Sequence, residues 1–370
     1  MLSHPRKKIL CVIGTRPEAI KMAPLILGLK EQEWAEVRIL ATAQHRDLLD
    51  QILLDFSIAP DIDLDIMQPN QSLITLTGKL LLELDKVLLA EKPDAVLAQG
   101  DTTTVLAASL ACFYAGIPFG HVEAGLRTGD INSPFPEEAN RVVTGVLAHW
   151  HFAPTSSAAE NLLAERTPGE KVFITGNTVI DALHYTAARE MPLSVPLDRA
   201  KRMILVTAHR RENFGQPFVD ICTAIKMIAV NNPDVEVLFP VHPNPSIRTV
   251  AYELLGDVAN LHLVNPLGYK EFVMAMKLAS FIISDSGGVQ EEAPALGKPV
   301  LVMRESSERP EAIAAGCSRL VGTDVGVIVR EAQELLNNPD EYKKMAIGIS
   351  PYGDGKASAR IIGVLREYFC

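Results

Sequence analysis

Short apolar runs alternate along this chain with longer stretches whose apolar residues recur at helical spacing. "KILCVIG" predicts a first strand, and "EAIKMAPLILGLKEQ" predicts a helix after it. "EVRILATA" predicts the next strand, followed by helical "RDLLDQILLDF". A long helix, "LITLTGKLLLELDKVLLAEK", is ended by Pro93; then come "DAVLAQG" as strand, "TTTVLAASLACFYAG" as helix and "PFGHVEA" as strand. These strands are continuously apolar rather than alternating, as a parallel sheet covered by helices on both faces requires. The expected class is α/β, doubly wound.

The same pattern then restarts. "RMILVTAH", "VEVLFPVH", "NLHLVNP", "SFIISDSGG" and "KPVLVM" predict strands, with "PFVDICTAIKMIAV" and "YKEFVMAMKLA" as helices between them. The expectation is two Rossmann-like doubly wound domains facing a cleft. The join falls near residues 177–200, where two prolines interrupt the pattern, so the domains are placed at 1–180 and 181–352. The segment 353–370, with "ASARIIGVLREYF", predicts a closing helix that crosses back to the first domain.

Composition narrows the chemistry. The chain has 370 residues, 48% of them apolar and 22% charged, with a net charge of −10. That balance excludes a general affinity for nucleic acid, which depends on Lys and Arg neutralising phosphates. A small anionic ligand stays open, because a local cluster of Arg and His can hold one. The five cysteines form no CxxC pair, which suits free thiols in a reducing cytoplasm and gives no metal-site spacing. No apolar run approaches the roughly 20 residues of a membrane span, so no membrane partner is expected. The basic start "MLSHPRKKILCVIG" reads as a strand rather than a signal segment.

In parallel α/β sheets ligands gather at the carboxyl ends of strands. Gly14, with Arg16 and Lys21 beyond it, Asp101, Glu123, His209, His242 and the pair Gly287–Gly288 all fall at such ends. Each alone could be a loop residue or a helix cap, and Asp101 before three threonines is a good N-cap candidate. Together, and in both halves, they point to an interdomain cleft. In "SDSGGVQEEAP", Ser286 and the glycines between strand and helix would let backbone N–H groups meet a phosphate or pyrophosphate at a helix N-terminus. A plain tight turn would use the same residues. Glu291 and Glu292 would either favour the helix dipole or accept hydrogen bonds from ribose hydroxyls. Neither GxxxxGK[ST] nor GxGxxG is present. Glu137 and Arg141, four apart after Pro136, share a helix face and suit either an ion pair or a group leaning over the cleft.

The stretches "GTRPEAIKMAPLI", "GDTTT", "HVEAGLRT", "PFPEEANR", "GNTVIDAL", "TAHRREN", "HPNP", "SDSGGVQEEAP" and "RESSERPEAI" resemble the non-hydrolysing UDP-N-acetylglucosamine 2-epimerases, in order and over nearly the whole chain. The resemblance implies a glycosyltransferase-B-like fold, a homodimer, and interconversion of UDP-N-acetylglucosamine and UDP-N-acetylmannosamine without NAD or an obligatory metal. It implies anti elimination of UDP to a bound 2-acetamidoglucal, then re-addition, in supply of sugars for cell-surface polysaccharide.

By the same resemblance, Asp101, Glu123, Glu137 and His209 carry the catalysis. Arg16, Lys21, Arg141, His242, Phe272, Ser286, Gly287, Gly288, Glu292 and Arg309 contact the substrate. Gln44, His45 and Gln71 match an allosteric UDP-sugar site of some members, although Asn70 stands where those members have arginine. Leu267 stands where some have glutamine. The alternatives are an epimerase of another UDP-2-acetamido sugar, such as a 2,3-diacetamido uronic acid, and a UDP-sugar hydrolase or glycosyltransferase. Fold alone would not separate them.

Overall fold

A computed structural model describes residues 5–42, 46–66, 71–189, 191–307, 309–348 and 350–370. The chain divides into two compact units, one of residues 1–182 with 352–370, the other of residues 183–351.

In the first unit the strands are β1 (Lys7–Ile13), β2 (Ala35–Ala41), β3 (Ile62–Asp63), β4 (Ala95–Gln99), β5 (Phe119–Val122), β6 (Trp150–Ala153) and β7 (Val172–Ile174). Between and after them run α1 (Arg16–Lys30), α2 (Arg46–Asp55), α3 (Leu73–Glu91), α4 (Thr103–Ala115), α5 (Glu137–Leu147), α6 (Ser156–Ala164) and α7 (Thr178–Ala187), the last of which continues past the unit boundary at residue 182. The sheet is parallel, in the order β3-β2-β1-β4-β5-β6-β7. Leu10, Val12, Val96 and Ala98 on the central strands pack with Leu80, Leu84 and Val105 from α3 and α4. Burial on both faces explains why these strands read as unbroken apolar runs.

The second unit holds β8 (Arg202–Thr207), α8 (Gln216–Asn231), β9 (Val235–Pro240), α9 (Pro245–Leu255), β10 (Leu261–Val264), α10 (Tyr269–Leu278) and β11 (Phe281–Ser284). It continues with α11 (Gly287–Ala295), β12 (Val300–Val302), α12 (Pro310–Ala314), β13 (Ser318–Leu320), α13 (Val325–Asn337) and α14 (Pro339–Met345). Its order, β10-β9-β8-β11-β12-β13, is again parallel. Phe218, Ile225, Phe239, Phe281 and Ile328 centre its core.

The closing helix α15 (Ala357–Phe369) belongs to the first unit and packs on α1. Gly28 permits that approach, since a Cβ there would stand 2.8 Å from Ile362 Cδ1. Both sheets reverse their strand order at one place, between β1 and β4 and between β8 and β11. At such a switch point the loops part and leave a crevice for a ligand. No described helix is long and apolar enough to cross a membrane.

Candidate functional site

The first unit's switch point gathers charge. Thr15 caps α1 in a capping box with Glu18. The Glu18 carboxyl is buried, accepts from Gly14 N at 2.5 Å and Thr15 N at 3.1 Å, and is pushed up to about 7 by its burial. Gly14 was expected for its turn; it is needed for space. A Cβ there would meet the hydroxyls of Thr104 at 2.6 Å and Thr42 at 2.9 Å. This fixed start of α1 presents Arg16 at its first position and Lys21 further along.

Asp101 does not cap α4. Thr102 does, its hydroxyl accepting from Val105 N. The Asp101 side chain is thereby left for other work, and Arg141 Nη2 lies 3.2 Å from it. Its main chain is pinned separately: Asn140 Nδ2 donates to Asp101 O at 2.8 Å, and His121 Nε2 lies 2.7 Å from Gly100 O. Burial pushes His121 down to about 4, so it is neutral and donates through Nε2. Burial also raises Asp101 above the usual carboxylate range; Arg141 and Lys21 oppose this, while Glu123 and Glu137 add to it.

Glu123 follows β5 with φ of +65°, a left-handed conformation uncommon for a residue with a side chain. Its carboxylate receives Lys21 Nζ at 2.5 Å, Asn177 Nδ2 at 2.7 Å and the Gln99 amide. Only 7% of the side chain is exposed. Asp101 and Glu123 thus end neighbouring strands in unlike settings, one partly exposed beside Arg141 with burial raising its carboxyl, the other buried among three donors.

The expected pairing of Glu137 with Arg141 is replaced. Arg141 reaches Glu138 at 3.3 Å and Asp101, touching only the backbone oxygen of Glu137. Glu138, buried, also accepts from Thr128 N and Gly129 N, and so ties down the loop before α5. Glu137 opens α5, and its charge is felt at Asp101.

In the second unit, Ser286 precedes α11 without a side-chain cap, so the first N–H groups of the helix are left for an anion. The guanidinium of Arg210 lies over Gly287: a Cβ on that glycine would stand 3.5 Å from Nη2. His209 and His242 stack with ring centroids 6.2 Å apart. His242 Nδ1 accepts from Asn244 N, which leaves Nε2 to donate. Asp285, fully buried, accepts from the backbone N–H groups of His209 and Arg210 and from Asn213 Nδ2, and lies 3.3 Å from His209 Nδ1.

The two glutamates have separate jobs. Glu291 pairs with Arg309, which is thereby fixed beside α11. Glu292 accepts from Tyr269 Oη at 3.1 Å. Neither lies in the first turn, which removes the dipole reading. Phe272 stands half-buried on α10. Gln44 and His45 lie outside the described residues, as does Asn70; Gln71 is described, half-buried just before α3. Asp285, Asn177, Gln99, Glu138 and Arg210 are site residues that the sequence pattern did not single out. Among the described residues, no group of three His, Cys, Asp or Glu has metal-holding geometry.

Two parallel sheets of 3-2-1-4-5-6 order, the first with a seventh strand added, one unit with an uncapped helix N-terminus under an arginine and the other with unlike carboxylates beside cations, define a glycosyltransferase-B-like enzyme of nucleotide-sugar type. The sequence matches the family described as UDP-N-acetylglucosamine 2-epimerase over residues 28–366. The UDP-N-acetylglucosamine 2-epimerase of Salmonella typhimurium is 53% identical, the match covering 98% of this chain and 99% of that protein. The crystal structure of the Neisseria meningitidis UDP-GlcNAc 2-epimerase bound to UDP-GlcNAc is 48% identical with a TM-score of 0.87, covering 97% of this chain and 100% of that one. A Listeria monocytogenes structure described as a putative enzyme of the same name reaches a TM-score of 0.94 at 46% identity, over 98% of this chain and 97% of that one. The chain belongs to the UDP-N-acetylglucosamine 2-epimerase family, whose members are isomerases.

Proposed function

We propose that this protein interconverts UDP-N-acetylglucosamine and UDP-N-acetylmannosamine by eliminating and re-adding UDP. The observation that carries the reading is the unlike environment of Asp101 and Glu123 on adjacent strands. Reaction at an unactivated C2–H needs an ionised carboxylate on one face of the sugar and a protonated one on the other. Glu123, with Lys21 and two amides donating to it, is the ionised member and takes the C2 proton. The C1–O bond breaks, its electron pair leaves with the diphosphate, and a C1=C2 double bond forms in a 2-acetamidoglucal. Asp101, raised by burial, returns a proton to C2 from the opposite face, and the diphosphate oxygen re-forms the bond to C1. Glu137 and Arg141 tune Asp101.

The nucleotide end falls to the second unit. The N–H groups of α11, Arg210, His209 and His242 hold the diphosphate and stabilise its departing charge, with Arg16 assisting. Glu292 meets the ribose, and Phe272 and Arg309 line the base side. The product supplies N-acetylmannosamine-type sugars for cell-surface polysaccharide, made in the cytoplasm.

The test is the fate of the C2 proton. In deuterium oxide the epimerised product carries deuterium at C2, read by NMR, because donor and acceptor are different groups that exchange with water. Product retaining protium at C2 refutes the elimination. Net release of free sugar would favour a hydrolase instead.

Gly288→Val abolishes UDP binding in calorimetry while the thermal transition stays within a few degrees. The space is there: a Cβ would have only ordinary contacts, with Glu292 Oε2 at 3.8 Å and Ser286 Oγ at 3.9 Å. What the side chain removes is backbone approach. Normal UDP binding by the variant would reduce the glycine pair to a turn.

A homodimer is part of the same proposal. The helices α3, α4 and α5 pack in sequence, and they expose Leu82, Leu89, Phe113, Tyr114, Val143 and Val146. Apolar side chains collected on neighbouring helices mark an interaction face. Sedimentation velocity shows a dimer for the wild-type chain and a monomer for Tyr114→Asp/Val146→Asp. A double variant that stays dimeric removes this face from the interface.

A further inference from the structure

The stretch "GNTVIDAL" supplies Asn177, one of the two amides that donate to Glu123, and the rest of its contacts show what holds that amide in place. Asn177 caps α7: its Oδ1 accepts from Val179 N at 3.1 Å. That bond decides which way the amide faces. With Oδ1 committed to the cap, Nδ2 points the other way and donates to Glu123 Oε1 at 2.7 Å. One small side chain therefore starts a helix and steers a carboxylate at the same time.

Asn177 is in turn held by chain that arrives from far along the sequence. Its backbone N–H donates to Tyr352 O at 2.6 Å. Arg360 Nη1 donates to Thr175 O at 2.9 Å. Asp181, one helical turn beyond Asn177, accepts from Ala357 N at 3.1 Å and Ser358 N at 2.8 Å, and so caps the start of α15. Two glycines let the backbones meet. Gly353 has a φ of +142° and Gly176 a φ of +86°. A Cβ on Gly353 would stand 3.4 Å from both Asn177 N and Gly176 Cα, and one on Gly176 would stand 3.3 Å from Gly353 Cα. The contact is backbone against backbone, where neither side can give as a flexible side chain would.

We propose that Asn177 is a positioning residue for Glu123, set in place by the returning segment Tyr352–Ser358. The inference rests on Glu123 being the carboxylate that takes the C2 proton. Lys21 supplies charge to Glu123, but a lysine is a long, rotatable donor. Asn177 is short, locked by its cap on one side and by Tyr352 on the other. It fixes where the carboxylate stands, and a misplacement of the order of 1 Å in such a group costs roughly a hundredfold in rate.

Asn177→Asp is the informative variant. It keeps the volume and the cap, since aspartate accepts from Val179 N as well. It replaces the amide that donates to Glu123 with a second carboxylate. We expect kcat to fall by about tenfold or more with KM and UDP affinity near wild type. The acidic limb of the kcat profile moves to higher pH, because a neighbouring carboxylate disfavours ionisation of Glu123. Asn177→Ser, which keeps the cap and loses the donor, lowers kcat without that shift. Gly353→Val pushes on Asn177 from behind, lowers kcat as Asn177→Ser does, and adds little when the two are combined. Gly353→Ala serves if the valine variant does not fold, as judged by its thermal transition.

A role in capping alone predicts wild-type kcat and an unmoved acidic limb in Asn177→Asp, and that result overturns the proposal. Wild-type kcat in the Gly353 variants, or additivity with Asn177→Ser, overturns the part given to the returning segment. Glu123→Gln is measured alongside. If it turns over normally, the reading of Glu123 has failed; if it is inactive while Asn177→Asp is normal, only this inference has failed.

Discussion

Glu123→Gln turns over about a thousandfold more slowly than the wild type while its affinity for UDP changes by no more than a few-fold. The expectation comes from what the side chain touches. Lys21 Nζ, Asn177 Nδ2 and the Gln99 amide each donate to it. Glutamine keeps the shape and one acceptor oxygen but offers an NH2 group where the others already donate. It cannot take a proton from carbon at neutral pH. The nucleotide end of the substrate is assigned to other residues, so ground-state affinity is spared, the signature of an interaction needed only in the transition state. Asp101→Asn follows the same logic with less disturbance to the fold. The main-chain oxygen of Asp101, rather than its carboxylate, takes the Asn140 bond, and Thr102 caps the helix. Steady-state kinetics beside calorimetry with UDP checks both variants. Near-normal kcat in either one takes that residue out of the chemistry.

How legible this arrangement is in the sequence differs by element. Strands β1, β2, β4, β5, β8, β9, β11 and β12 stand out because each carries a run of buried apolar residues, broken mainly at its start by Lys7, Lys8, Glu36, Arg202 or Glu236. β6, carrying Trp150 and His151, and the three-residue β7 and β13 do not, since so few residues hold no periodicity. The short α12 and α14, each opening on a proline, are invisible for the same reason. Among site residues, those at strand ends are legible because the parallel topology gathers them there. Their partners are not. Asp285 stands in plain view between Ser284 and Ser286, yet the N–H groups that it accepts belong to residues 75 and 76 positions away. Helical spacing favours Glu137 for Arg141, but three-residue spacing and the need to hold Thr128 and Gly129 select Glu138. Gly14 reads as a turn because its steric neighbour, Thr104, is known only once β1 and β4 are paired. Local pattern carries the elements; long-range contact decides which polar groups work together.

Asp285→Ala destabilises the second unit by about 3–5 kcal/mol and abolishes measurable UDP binding. The carboxylate is buried under the loop after β8, where it holds the backbone N–H groups of His209 and Arg210, the Asn213 amide and the imidazole of His209. Removing it leaves those donors facing an apolar gap, with nothing to aim His209 and Arg210 at the start of α11. Asp285→Asn, which keeps one acceptor oxygen, falls between. The pH dependence gives an independent reading. Burial pushes this carboxyl up, but its hydrogen bonds with His209 and the Arg210 N–H outweigh that and hold it below the ordinary range. A depressed folded-state value means that the stabilisation is complete above the unfolded value, near 3.9, and is lost as pH falls through the folded one. The wild-type second unit therefore loses an increment of stability on acidification below about pH 4, and Asp285→Asn lacks that increment. Chemical denaturation of both proteins from pH 7 to pH 3 measures it. Parallel pH profiles would show that Asp285 carries no special charge interaction, and its hold on His209 and Arg210 would then reduce to neutral hydrogen bonding.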